Sequence, residues 1–406
     1  MNQSDFIKVL LVLSIPYIAT SLINNGFPAL LPFVREEFAL SRAQVGYYSS
    51  SFFLSAAVMA VFTGSVVDRL GPKRGLLFGV ACLGFMILMY GFSPSYPFLL
   101  VLALFAGLGF SIITPSVNKG VIIETPPERR AVSMGVMQSG SGIGGLVGAS
   151  LLPLIGESFG WRITILATGL FVLFIGLLTY KLYKEKSKSS DLESSGNNNS
   201  EESFSLKRNL SYFLTKKQFI FMCLIGTVLA GSSVGVIFSH LAVYISEDLH
   251  MSRAAAGLGL GIFNIGGMVG RPIWGWLSDY ILKGDRRSTL LLLGLTSGIM
   301  FMLPGLMGGN PNTGFALVYI FSFFLGFAAF GWPGVFFVTI GEYAGEERTG
   351  AATGIALLFG RVGILTAPPI FGLIADTWES YSYSWLIFGA VIIVVSFLYF
   401  ISTKKS

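Results

Sequence analysis

The chain predicts an all-α membrane protein, with twelve transmembrane helices arranged as two pseudo-symmetric six-helix bundles. Three observations carry that expectation. Of 406 residues, 53% are hydrophobic, only 12% are charged, and the mean hydropathy is +0.72. So much apolar surface with so few charges suits a chain whose exterior meets lipid rather than water. Apolar stretches of about 20 residues, the length that crosses a bilayer as helix, recur twelve times. The second six also repeat motifs of the first six.

The apolar stretches run at 8–31, 43–67, 75–93, 96–119, 132–155 and 162–183, then at 218–245, 254–278, 288–307, 314–341, 351–375 and 383–402. The first lacks a small-residue cleavage site and reads as a retained span. Between the sixth and seventh lies a polar, Ser/Asn-rich, charged stretch that reads as a flexible linker. The expected units are therefore a first bundle at 1–183, a linker at 184–217 and a second bundle at 218–406. Fifty glycines fit close helix packing in lipid. The net charge of +6 reads as topology rather than a nucleic-acid footprint. One set of loops holds Arg69, Lys73, Arg74, Arg129, Arg130, Lys283, Arg286, Arg287, Arg348, Lys404, Lys405 and the linker lysines. The opposite set holds Arg35, Arg42, Arg162 and Arg253 and no lysine. The first set is expected to be cytoplasmic, with both termini and the linker inside and the protein in the cell membrane. Cys82 and Cys223 fall inside spans and read as free thiols.

The internal repeat is visible residue by residue. "LSRAQVG" (Leu40–Gly46) matches "MSRAAAG" (Met251–Gly257) at an offset of 211, which also carries Gly64 onto Gly275 and Asp68 onto Asp279. "ERRAVSMG" (Glu128–Gly135) matches "ERTGAATG" (Glu347–Gly354) at an offset of 219. Duplicated halves with a site at their interface are a transporter architecture. "GSVVDRLGPKR", with Gly64, Asp68, Arg69, Gly71 and Arg74, stands between spans two and three, and resembles the loop signature of the major facilitator superfamily. "GWLSDYILKGDRR", with Gly275 and Asp279, looks like the second copy between spans eight and nine. The resemblance covers the whole chain. It implies that glycines let helix ends close up while the carboxylates of Asp68 and Asp279 take partners in gating clasps. The drug/proton antiporter pattern is broken, with Ala103 where those proteins carry an arginine and no proline beside Gly144 and Gly145.

Two arginines stand where lipid-facing helix is expected. Arg271 lies eight residues inside Asp279, roughly 12 Å at 1.5 Å per residue, and Arg361 lies at similar depth in span eleven. On insertion scales each costs about 2.5–3.5 kcal/mol. The repeat aligns them with Ala60 and Gly142, so the duplicated scaffold does not need them. No aspartate or glutamate stands near mid-depth in any span. That leaves an anionic substrate as counter-ion, which a planar, forked guanidinium suits. The competing reading is that each arginine bonds backbone carbonyls and locks helices. "GRPIWGWLSD" resembles span eight of the monocarboxylate transporters and oxalate/formate exchangers, where an Arg-Pro pair supplies a substrate-contacting arginine. That resemblance implies the role for Arg271 and a parallel basic role for Arg361. Gly267 stands where the animal monocarboxylate transporters carry a proton-coupling aspartate, and their acidic span-one signature is replaced by "INNGFPALLP".

Asn264 shares a helix face with Arg271, and Asn25 and Gln138 are polar groups expected to face the bundle interior. His240 is the only histidine within a span and a candidate proton site, although a lone histidine is more often structural. No Cys/His cluster has metal spacing, and "GLGLG" at Gly257–Gly261 lies inside a span without a preceding strand, so no metal or cofactor is expected. No ATP-binding loop is present, which makes a gradient the expected energy source. The function expected is a secondary transporter, not an enzyme, moving a small mono- or dicarboxylate by alternating access. It would work as a monomer, by exchange for a counter-anion or by proton symport. The rivals are a carrier of a neutral or cationic solute and a non-transporting membrane sensor.

Overall fold

In a lipid interior no water satisfies backbone N–H and C=O groups, so a spanning chain must close its hydrogen bonds within each segment. The described residues do so in long helices. A computed structural model describes residues 3–125, 130–183, 212–307, 314–345 and 348–403. Its spans are α1 (Gln3–Glu37), α2 (42–70), α3 (72–90), α4 (Tyr96–Glu124), α5 (Arg130–Phe159) and α6 (Trp161–Leu182). After the linker come α7 (Lys217–Glu247), α8 (Arg253–Trp276), α9 (Arg286–Met307), α10 (Phe315–Ala344), α11 (Thr349–Thr377) and α12 (Tyr381–Ser402). Nine helices among the described residues are long and apolar enough to cross a membrane by length and composition. The protein is multi-pass. Strands are absent among the described residues.

Local chemistry sets the breaks. Between α2 and α3 the backbone of Gly71 takes φ 76° and ψ 162°, a conformation favouring glycine, and Pro72 then opens α3. In α7 the segment Gly231–Val236 winds as a π-helix, and α8 ends in a second π turn, Leu277–Ile281. α10 is interrupted between Ala329 and Trp332. Phe85, Phe105, Phe174, Phe324, Leu373 and Ile401 are all exposed, as lipid-facing side chains must be in such a fold.

The two six-helix bundles meet along α1 with α7 and α8, α2 with α11, and α5 with α8. The contacts that join them gather at the face away from the linker. There Arg35 pairs with Glu247, Arg253 with Glu36, and Arg42 with Asp248 at 3.7 Å. Asp376 accepts from the backbone N–H groups of Arg42 and Ala43, each at 2.8 Å, so the end of α11 caps the start of α2. Glu157 accepts from the N–H of Ala254 at 2.8 Å, and the hydroxyls of Ser49 and Ser239 meet at 2.6 Å.

Candidate functional site

Between the bundles lies a cavity of about 410 Å³. Its walls come from α2 (Phe53, Thr63), α4 (Phe110, Ser111, Thr114), α7 (Ala230, Val234), α10 (Trp332, Phe336, Phe337) and α11 (Gly360, Arg361, Ile364). The π segment of α7 supplies Val234 to this wall, and irregular helix of that kind often occurs at functional sites. Ser233 fixes the aromatic wall. Its hydroxyl accepts from the Trp332 indole N–H at 3.1 Å and donates to the Leu229 carbonyl at 2.6 Å.

Arg361 is the one charged side chain lining the cavity among the described residues. It stands twelve residues into α11, near mid-depth, and makes no hydrogen bond or ion pair with a described residue. No carboxylate lines the cavity among the described residues.

Arg271 is placed differently. Its Nε donates to the Phe330 carbonyl at 3.4 Å, a long and weak bond. Its guanidinium lies 4.4 Å from the centre of the Phe330 ring, a cation–π contact. Its side chain keeps accessible surface, and it does not line the cavity. Tyr17 of α1 links it to the cavity. The phenol hydrogen-bonds with Thr114 and Ser141 and lies within the field of the Arg271 charge. Ser21 donates to the same Ser141 hydroxyl at 3.1 Å. Sequence reading passed over Tyr17, because one tyrosine in an apolar span carries no signal until its neighbours are known.

The remaining candidates divide between packing and topology. Asn25 and Asn264 are buried and crowd the space where a Cβ on Gly145 would stand, at the junction of α1, α5 and α8. Asn264 donates to the Leu260 carbonyl of its own helix at 2.9 Å, and neither residue lines the cavity. His240 is fully buried. Its Nε2 stands 2.9 Å from the Pro368 carbonyl, which can only accept, so that nitrogen carries the proton and Nδ1 accepts from the Tyr381 hydroxyl at 3.2 Å. The ring joins α7 to α11 and α12, away from the cavity lining. The side chains of Gly64, Asp68 and Gln138 lie outside the described residues. Arg69 and Arg74 are exposed at the Gly71 break. A Cβ at Gly275 would meet nothing within 4 Å, so no helix end closes on that glycine here. Asp279 pairs with Arg286, which also meets Glu342 at 3.1 Å and donates to Ser278 at 2.7 Å. That clasp ties α8, α9 and α10 within one bundle and does not reach across to the other.

Comparison with known proteins places this geometry. The sequence profile of the Major Facilitator Superfamily matches residues 13–244 and 223–406. The hexuronate transporter of Bacillus subtilis (strain 168) is 23% identical over 98% of this chain and 94% of its own length. Monocarboxylate transporter 12 of Xenopus laevis is 26% identical over 89% of this chain and 80% of its own. Among solved structures, a bacterial homologue of the human lysosomal transporter Spinster, inward-facing and unoccupied, superposes with a TM-score of 0.80 at 16% identity. It covers 100% of this chain and 98% of that one, a likeness of fold. With the profile spanning the chain and the two six-helix bundles of the fold packed around the cavity, the protein belongs to the Major Facilitator Superfamily and is a transporter rather than an enzyme.

Proposed function

We propose that the chain is a secondary transporter that moves a small organic anion across the cell membrane by alternating access. Arg361 holds the anionic group, and Arg271, at the rim, supplies the second charge along its route. One observation carries the reading: Arg361 lines a mostly apolar cavity with neither a carboxylate nor a carbonyl as partner among the described residues. A half-buried charge at that depth is costly without a counter-charge or a carbonyl, and a substrate can provide the counter-charge on each cycle. The hexuronate and monocarboxylate relatives agree with an anionic cargo. Asn25 and Asn264 then hold helices together, Gln138 is the remaining candidate cavity residue, and His240 is a structural pin instead of a proton site. The bundles at 1–183 and 218–406 rock about the cavity as a monomer, with the lysine-bearing linker at 184–217 and both termini in the cytoplasm. Coupling runs by exchange for a counter-anion or by proton symport.

The test pairs binding with transport. The full-length protein is purified and its melting temperature followed against mono- and dicarboxylates, and the same anions are then offered to proteoliposomes. A ligand that binds only the folded form raises the melting temperature by mass action. The expected result is a shift and uptake in the parent chain, both lost in Arg361→Ala, with a weaker response in Arg361→Lys because a point charge replaces the fork. Shifts and uptake unchanged by Arg361→Ala would overturn the assignment.

A further inference from the structure

The cavity around Arg361 is unusual in what it lacks. Its polar side chains besides the arginine are hydroxyls, and those are engaged. Ser111 donates to the Leu108 carbonyl at 2.7 Å, Thr114 is hydrogen-bonded with Tyr17, and Thr63 is likewise partnered. No amide or acidic side chain lines the cavity among the described residues. Aromatic rings fill the space instead. Phe53 and Phe110 enter from the first bundle, and Trp332, Phe336 and Phe337 from the second. The three on α10 form one cluster, with Trp332 5.3 Å from Phe336 and Phe336 5.4 Å from Phe337, centre to centre. Phe53 and Phe110 both flank Phe52, at 5.3 and 5.4 Å.

Such walls recognise faces and edges of rings, not hydroxyl groups. A sugar acid entering here would exchange water mostly for aromatic and aliphatic side chains, with the engaged hydroxyls of Ser111 and Thr114 left to accept, and each of its hydroxyls stranded against a ring lowers affinity by about tenfold or more. A two-carbon acid would leave most of the volume unfilled, since a cavity of about 410 Å³ lies in the range that holds larger organic ligands. Among the described residues that line the cavity Arg361 is the one cation, which calls for one anionic group. Resting on the anion reading above, we infer that the substrate is a monoanion with a flat, apolar body, an arene carboxylate, seated with its carboxylate on Arg361 and its ring among Phe53, Phe110 and the α10 cluster.

The experiment uses the full-length purified protein with three probes at equal concentration: benzoate, glucuronate and acetate. Two readouts are taken, the melting temperature and the change in tryptophan fluorescence that is lost in Trp332→Phe. Benzoate is expected to raise the melting temperature and quench the Trp332 component, while glucuronate and acetate do neither. Phe53→Ala should weaken benzoate about tenfold, with Phe53→Leu recovering part of it, because ring pairing adds to plain apolar contact. If glucuronate or acetate shifts the protein, benzoate does not, and Arg361→Ala removes the shift, the anion reading stands and the arene class is overturned. If no probe shifts the parent chain, the arene class is overturned, and the anion reading falls with it only if the mono- and dicarboxylate series above also gives no shift.

Discussion

A guanidinium inside a membrane span has to find a partner, and the two in this chain differ in what surrounds them. Arg271 rests on the face of Phe330 and reaches a backbone carbonyl, which lessens its need for a ligand. Arg361 has neither among the described residues, so its charge is the better bait for an anion. Elsewhere single residues act on stability, and Asp285 is the clearest case. It caps the start of α9, accepting from the Ser288 hydroxyl at 2.6 Å and the Ser288 N–H at 3.2 Å. The Ser288 hydroxyl, helped by backbone N–H groups, holds its carboxyl below the ordinary value of 3.8. A carboxylate with a depressed folded value stabilises the fold above its unfolded value, and that contribution disappears as pH falls through the folded one. Asp285→Ala should therefore cost about 1 kcal/mol at neutral pH. The gap between its melting temperature and that of the parent chain should close below pH 3.8. A gap that stays constant through that range would mean the cap acts only through its uncharged hydrogen bonds.

Helices of this chain approach one another where glycine removes the obstacle. α8 and α10 touch through Gly266 and Gly326, each of which would drive a Cβ into a carbonyl oxygen of the facing helix, Phe323 and Phe263 respectively. Gly266→Ala must push the pair apart, and overpacking of that kind costs about 1–3 kcal/mol. Gly334→Ala, in the same bundle, meets nothing within 4 Å and gains helix propensity, so it should be neutral or stabilising. Melting temperatures of the two variants measured side by side check the contrast, and equal losses would refute it. The spans were legible in the sequence because lipid leaves a chain little choice but long apolar helix, and the Gly71 break because Gly-Pro punctuates it. Arg361 was legible because charge stands out against an apolar background. The aromatic wall was not. With 36 phenylalanines in the chain, those facing the cavity have the same neighbours in sequence as those facing lipid. Helices apolar all round carry no periodicity to separate the two faces.

At the scale of the molecule, the question is what keeps one face shut. The fastening at the face away from the linker was also hidden from the sequence, since its partners are as far apart as Arg42 and Asp376, and only the fold brings them together. Its ion pairs are partly exposed, with side-chain exposures of 21% and 28% for Arg35–Glu247 and 34% and 68% for Arg253–Glu36. Each is therefore worth at most about 1 kcal/mol after screening. That is the right scale for a gate. Shifting a two-state equilibrium from 1:99 to 99:1 takes about 5.5 kcal/mol, so a handful of weak contacts can hold a face closed and still yield to a bound substrate. Removing two pairs with Arg35→Ala and Arg253→Ala should shift the balance toward opening by about thirtyfold at most. The buried Ser239, which meets Ser49 across the interface, reports it as a cysteine in a chain whose Cys82 and Cys223 are replaced by alanine. A membrane-impermeant maleimide should label Ser239→Cys several-fold faster in the double variant than in its parent. The parent's rate should rise with salt toward that of the variant, because screening weakens the same pairs. If the rates match at every salt concentration, the pairs ornament a face that apolar packing and the Asp376 cap hold closed by themselves.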